Sequence, residues 1–243
     1  MTHVAHPYAQ RLGIIRDWKS RWFVRDRAQF KEFLKTDTIL RGWLKKRLKG
    51  MYVADIEIER GASLLRIIVK TARPGMLIGR SGEGVQKLHK EIAKKMNALN
   101  LAEMPEVKLD IEEVRNPEAH AQIVAEMVAE SLEKRMPFRR VLKQTIDKVI
   151  ANREVKGVRI AISGRIGGAE MSRREEIKKG RVPLQTLRAD IDYAKAEAYL
   201  AYTGLVGIKV WIYKGDIFEG DDKKKNNMSS QGGQSHNRDR RNK

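Results

Sequence analysis

Gly79-Arg80-Ser81-Gly82 decides how this chain is read. Two glycines three apart, with a cation between them, stand between two apolar segments. Glycine lets the main chain turn sharply and come close to another backbone, because no Cβ stands in the way. Arg80 adds a planar guanidinium that can fork onto a phosphate, and Ser81 adds a small hydroxyl. A G-x-x-G alone arises often by chance and is commonly an ordinary turn, so the flanking sequence carries the decision.

Upstream, Ile39, Leu40, Trp43, Leu44 and Leu48 recur at helical spacing, with Asp37 or Thr38 placed to cap the start and Gly50 the end. Ile56 and Ile58 alternate with Asp55, Glu57 and Glu59, which predicts a half-buried strand. Residues 64–69 are apolar enough for a central strand. Pro74 suits the first position of a short helix, which the glycine loop then interrupts. Beyond the loop, Val85, Leu88, Ile92, Met96 and Leu99 are spaced three and four apart, a helix with one buried face. Val107, Leu109 and Ile111 alternate with Lys108, Asp110 and Glu112 as a last strand.

The order is helix, strand, strand, short helix, loop, helix, strand. It is that of the prokaryotic-type KH domain, which carries its extra helix and strand at the front and whose G-x-x-G loop clamps about four nucleotides. A helix that starts just after Gly82 points free amides and its positive dipole end at the loop. The expected RNA contacts here are Gly79, Arg80, Ser81 and Gly82, with Lys87 one turn on.

Two other glycine motifs compete. Residues 75–81 resemble a P-loop, but the spacing is one residue short and Arg80 replaces the lysine that reaches between phosphates. Gly164-Arg165-Ile166-Gly167 is a second G-x-x-G. It follows a strand-like run, not a short helix, and reads as a basic turn.

Hydrophobic residues make up 41% of the 243 positions, enough to build cores for two modest domains. Lys and Arg number 50 against 31 Asp and Glu, a net charge of +19. Such a charge needs an anionic partner, either nucleic acid or an anionic membrane. The membrane has less support: there is no apolar run near ~18 residues, no secretory leader and no lipidation motif. Cysteine is absent, which excludes disulfides and thiolate metal sites and fits a reducing cytosol.

Four stretches follow. Residues 1–36 form a basic aromatic arm, with Tyr8, Trp18, Trp22, Phe23, Phe30 and Phe33 among Arg11, Arg16, Lys19, Arg21, Arg25 and Arg27. These rings suit either stacking on bases or docking of the arm onto its own domain. The KH unit spans 37–114. Asn116-Pro117 marks a boundary and can cap a new helix, opening an α+β unit at 115–215. Its first helix has Ile123 or Val124, Met127, Val128 and Leu132 on its apolar face. Its second, from Pro137, buries Phe138, Leu142, Ile146, Val149 and Ile150. Arg139, Arg140 and Lys143 share another side of that helix, either as a solvated face or as a polyanion surface. A sheet follows, from 158–163, 190–193 and 208–213, with 171–180 open between helix and strand. Residues 216–243 are expected to be disordered. From 221 on they hold seven Lys and Arg against three Asp, with Met228 the only large apolar residue.

Nothing in the motifs favours an enzyme. The five histidines fall in no metal-ligand spacing and no nucleophile elbow is present. Asp190 and Asp192, two apart on one strand face, could hold a metal or answer a nearby Arg181 or Arg188. No cofactor or metal is expected.

The chain resembles the third protein of the small ribosomal subunit, the universal S-three family, in its bacterial form. The resemblance rests on His6-Pro7 with Arg11-Leu12-Gly13-Ile14, Thr71-Ala72-Arg73-Pro74-Gly75 through Gly82, Phe138-Arg139-Arg140, and Ser163-Gly164-Arg165 with Gly167-Gly168-Ala169-Glu170. It continues through Gly180-Arg181-Val182-Pro183-Leu184, Thr186 to Tyr193 and Gly207 to Ile212, and covers roughly 6–214. It implies a second domain of two helices and a four-stranded antiparallel sheet in two layers. It also implies a cytoplasmic, ribosome-bound protein of the subunit head that binds small-subunit rRNA and messenger RNA and touches the tenth and fourteenth small-subunit proteins. Arg139, Arg140 and Lys143 would line the messenger entrance. Arg11, Arg16, Arg165, Arg173, Arg174, Arg181 and Arg188 are the expected rRNA contacts. Two departures stand out: residues 1–5 lack the family's usual Gly-Gln-Lys opening, and Arg80-Ser81 stands where two lysines are common.

Overall fold

Two four-stranded sheets organise the described residues, 5–61, 63–99, 105–201 and 203–218 of the computed structural model. In the first sheet β1 (Ser20–Arg21), β2 (Val53–Arg60), β3 (Leu64–Thr71) and β4 (Glu106–Glu113) lie side by side in that order. β1 runs parallel to β2, β2 antiparallel to β3, and β3 parallel to β4. A parallel pair needs a crossover. Between β3 and β4 that crossover is α3 (Pro74–Ile78), a 3₁₀ turn at Arg80–Gly82 and α4 (Glu83–Asn97). The glycine loop thus sits at the exposed bend of the crossover. α2 (Arg27–Arg47) shares the same sheet face. Leu40 and Leu44, with Leu48 just after, meet Ile56, Ile58, Leu65, Ile67, Val69, Leu88, Ile92 and Met96 in one core.

α2 begins ten residues before the expected cap. Asp26 takes that role, its carboxylate accepting from the Ala28 N–H. Asp37 is buried in mid-helix and pairs with Arg60 at 2.8 Å, while Trp22 Nε1–H donates to its other oxygen at 2.7 Å. Trp22 in turn packs against Phe30 and Phe33. A charged side chain interrupting an apolar stripe made the start of the helix look later than it is. Ile39, expected on the buried face, is exposed.

The second sheet has the order β6-β5-β8-β7, all antiparallel, from β5 (Gly157–Gly164), β6 (Arg173–Gly180), β7 (Ala189–Leu200) and β8 (Gly204–Asp216). Residues 171–180, which periodicity left between helix and strand, therefore supply an edge strand. α5 (Ala121–Glu133) and α6 (Phe138–Ala151) cover one face. Val124, Val128 and Leu132 of α5 and Leu142, Ile146 and Val149 of α6 close over Ile160, Ile162, Ile208, Val210 and Ile212. The fold is α+β, a KH domain followed by a two-layer helix-and-sheet unit.

The opposite face of this sheet is also covered. Ala189, Ile191, Trp211 and Tyr213 bury against Val182, and the N-terminal arm docks beside them. α1 (Pro7–Gln10) lies over β7, with the His6 ring edge-on to Tyr193 at 4.7 Å. Of the expected disordered stretch, everything past Phe218 lies outside the described residues.

Candidate nucleic-acid interface

The glycine loop is built from three residues with positive φ in a row of four. Gly79 has φ 69° and ψ −174°, a region open essentially to glycine alone. Ser81 (φ 53°) and Gly82 (φ 80°) are left-handed. The outcome is a bend that presents its backbone outward, with Arg80 and Ser81 exposed. The Arg80 side chain has no ion-pair or hydrogen-bond partner among the described residues. α4 starts at Glu83 with no capping side chain; the Glu83 N–H donates to the Arg80 carbonyl, and no side chain caps the amides that follow. Lys87 stands one turn along, 3.5 Å from Glu83, both well exposed; a pair so exposed holds its cation weakly.

Gly84, which sequence reasoning passed over, fixes the angle between the two helices. A Cβ there would lie 2.3 Å from the Leu77 carbonyl oxygen and 2.9 Å from that of Ile78. The signal was present: Gly84 extends the motif to G-x-x-G-x-G.

On the second domain, Arg139, Arg140 and Lys143 are all exposed on α6. None has an acidic partner among the described residues. They share the start of α6, whose first turn lacks a side-chain cap and adds its own partial positive charge. Phe138 ties neighbouring cations to this end. The Arg139 guanidinium lies 5.7 Å and that of Arg173, on the edge strand β6, 5.4 Å from the ring centroid. Sequence reasoning read Phe138 only as a buried residue.

The other expected rRNA contacts divide. Arg11 is corrected: it is fully buried, and it donates to the carbonyls of Pro7, Leu184, Thr186 and Ala189 at 2.7–2.9 Å. No phosphate can reach it. Arg16 is three-quarters buried against Asp190; the expected partner of that carboxylate was Arg181 or Arg188. Arg188 instead faces Asp216 at 3.7 Å and the Phe218 ring. Arg174 pairs with Glu176 at 3.0 Å. Arg165 bonds the Ala169 carbonyl of its own turn, and it is exposed, as are Arg173 and Arg181.

Comparison with known proteins agrees with both halves. Residues 39–119 match the family model described as KH domain, and residues 128–212 that of ribosomal protein S3, C-terminal domain. Small ribosomal subunit protein uS3 of Geobacter sulfurreducens is 48% identical over 220 residues, 90% of this chain and 99% of the relative. That of Caldicellulosiruptor bescii is 46% identical over 217 residues (89% and 94%), and that of Koribacter versatilis 43% over 232 (96% and 99%). This chain belongs to the uS3 family.

The uS3 family is structural and non-enzymatic. Accordingly, the two carboxylates that could have held a metal serve the fold: Asp190 pairs with Arg16, and Asp192 accepts from the Ala121 N–H at 2.8 Å, capping α5 from 71 positions away. The sequence had offered Asn116 for that cap. No helix among the described residues is long and apolar enough to cross a membrane.

The two domains of this uS3 member meet at a polar seam. Lys49 pairs with Glu133 at 3.1 Å, and the Tyr52 hydroxyl donates to the Glu130 carboxylate, which raises the phenol pKa. His120 lies in the seam with its pKa lowered, first by burial and then by Lys214. Glu126 beside it is raised by burial, and its Oε2 has no hydrogen-bond partner.

Proposed function

We propose that this chain, a small-subunit ribosomal constituent by family, binds small-subunit rRNA and guides messenger RNA at the entrance in the subunit head. Arg139, Arg140 and Lys143 line that entrance. What supports this most is their clustering: three exposed cations sit together at the start of α6 with no acidic partner among the described residues, whereas Arg21, Arg47, Arg60, Arg66 and Lys70 are each paired. Three like charges within one turn repel by a few tenths of a kcal/mol per pair, and a phosphate chain offsets that cost.

Arg165, Arg173 and Arg181 are exposed enough to meet rRNA, with Arg174 and Arg188 reaching it by exchanging a carboxylate for a phosphate. The KH loop is a second RNA contact, through bare amides and the unpaired Arg80. The tenth and fourteenth small-subunit proteins are the neighbouring chains, and the setting is the cytoplasmic ribosome.

Small subunits carrying Arg139→Ala, Arg140→Ala and Lys143→Ala test this reading. They should assemble normally and translate an unstructured message at the usual rate, but slow on a message with a stable hairpin ahead of the entrance. Equal rates through the hairpin would overturn it.

A further inference from the structure

Beside the α6 cations lies a cavity of about 440 Å³ that the fold does not fill. Phe138, Ile166 and Leu200 give it apolar walls, and Gly168 leaves bare backbone at its edge: a Cβ there would meet nothing within 4 Å. Tyr199 stands on the rim, 65% exposed. The hydroxyl of Thr203, also in the lining, has no hydrogen-bond partner. The lining carboxylate, Glu133, is already engaged by Lys49 and the Tyr199 N–H. Around the mouth the remaining charges are positive, with Arg139 and Arg173 both set against the Phe138 ring that forms one wall.

We infer that this cavity accepts one unpaired nucleobase from the RNA strand held by Arg139, Arg140 and Lys143. Single-stranded RNA is recognised by splaying bases out and stacking them on aromatic rings or guanidinium planes. Both surfaces are present here, with Phe138 inside, Tyr199 at the rim and Arg173 at the mouth. An apolar side chain of a protein would fill the same walls but leave the cationic rim unmatched, whereas a base arrives with its own phosphates. The inference rests on the proposed strand-binding role of the α6 face and adds to it a socket that stops the strand from sliding freely.

The test uses the full chain and a single-stranded RNA oligonucleotide carrying 2-aminopurine at successive positions. Strand affinity is read by anisotropy and base stacking by fluorescence. At one position the bound probe should be quenched. Ala201→Leu, an exposed substitution that narrows the cavity, and Tyr199→Ser should each abolish that quenching and weaken binding roughly tenfold, the size of one lost stacking contact. Both variants should keep the parental melting temperature. Should quenching and affinity survive both substitutions while Arg139→Ala, Arg140→Ala, Lys143→Ala weakens binding, the cavity takes no base and the strand face stands alone. Should that triple substitution leave affinity unchanged, the face does not hold the strand and the socket fails with it.

Discussion

Asp37 and Arg60 form an ion pair at 2.8 Å with 6% and 3% of their side chains exposed. Asp37 also accepts from the Trp22 indole, and the Arg60 guanidinium lies 4.1 Å from the Phe33 ring centroid. The pair fastens the end of β2 to the middle of α2 and draws the arm's aromatic residues into the KH domain. Removing one member strands a buried charge, which costs about 3–5 kcal/mol. Urea denaturation of Asp37→Ala should show a loss of that order, and Asp37→Leu with Arg60→Met should recover most of it. A loss under ~1 kcal/mol for Asp37→Ala would mean that the pair is hydrated.

Gly84→Ala is expected to be worse for RNA binding than Gly82→Asn. The first drives a methyl into two carbonyl oxygens of α3 and opens the bend; overpacking of that kind costs about 1–3 kcal/mol. The second places a residue that tolerates the left-handed region where there is open space. Thermal melts and RNA titrations of the two variants make the comparison. Equal behaviour would remove the role assigned to Gly84.

Arg11 and Arg173 should separate stability from binding. Arg11→Ala leaves four carbonyls without their donor and is expected to lower stability by about 2 kcal/mol or more, since a hydrogen bond to a charged group contributes roughly 1.5–3 kcal/mol. RNA affinity of the folded protein should be unchanged. Arg173→Ala should do the opposite. An RNA defect in folded Arg11→Ala would contradict its burial.

Stability should fall as pH drops through the region just below 6.5. Burial and Lys214 hold His120 under its ordinary value of 6.5, against the opposing pull of Asp192 and Asp55. The unfolded chain therefore binds a proton there that the folded chain refuses, and stability declines toward acid. His120→Asn should flatten that decline. Glu126 acts with opposite sign: raised by burial from 4.5, it holds its proton longer when folded and lends stability as pH falls through the region just above that value. Chemical denaturation at a series of pH values, with and without each substitution, distinguishes the two.

RNA affinity should fall steeply with salt. With about 6–10 phosphate contacts the loss is roughly 10³- to 10⁵-fold between about 50 and 200 mM. The Arg139, Arg140 and Lys143 triple substitution should make the slope shallower by about 3. A slope that stays the same would place the contacts elsewhere.

Periodicity exposed most of the fold. Ile56 and Ile58, Val158 to Ile162, and the Leu88, Ile92 and Met96 row fall on the faces their spacing implies, because one buried side forces a regular repeat. What escaped were contacts between distant segments. Nothing local in Arg11 tells a phosphate ligand from a buried clamp, since three of the four carbonyls it holds, those of Leu184, Thr186 and Ala189, come within reach only when the arm docks. Asp37 looked like a cap for the same reason, its partner Arg60 lying on another element. The glycine loop was legible as a motif, but the role of Gly84 needed the closeness of α3.

Among the described residues β8 is the last strand made, yet it takes a central place between β5 and β7. During synthesis its two neighbours emerge first and wait with unpaired backbone edges, the kind of surface on which chains aggregate. The second half of this molecule cannot close until nearly its whole length has left the ribosome that is making it. A message cut short before codon 204 would yield an intact KH domain attached to an open, adhesive half-sheet.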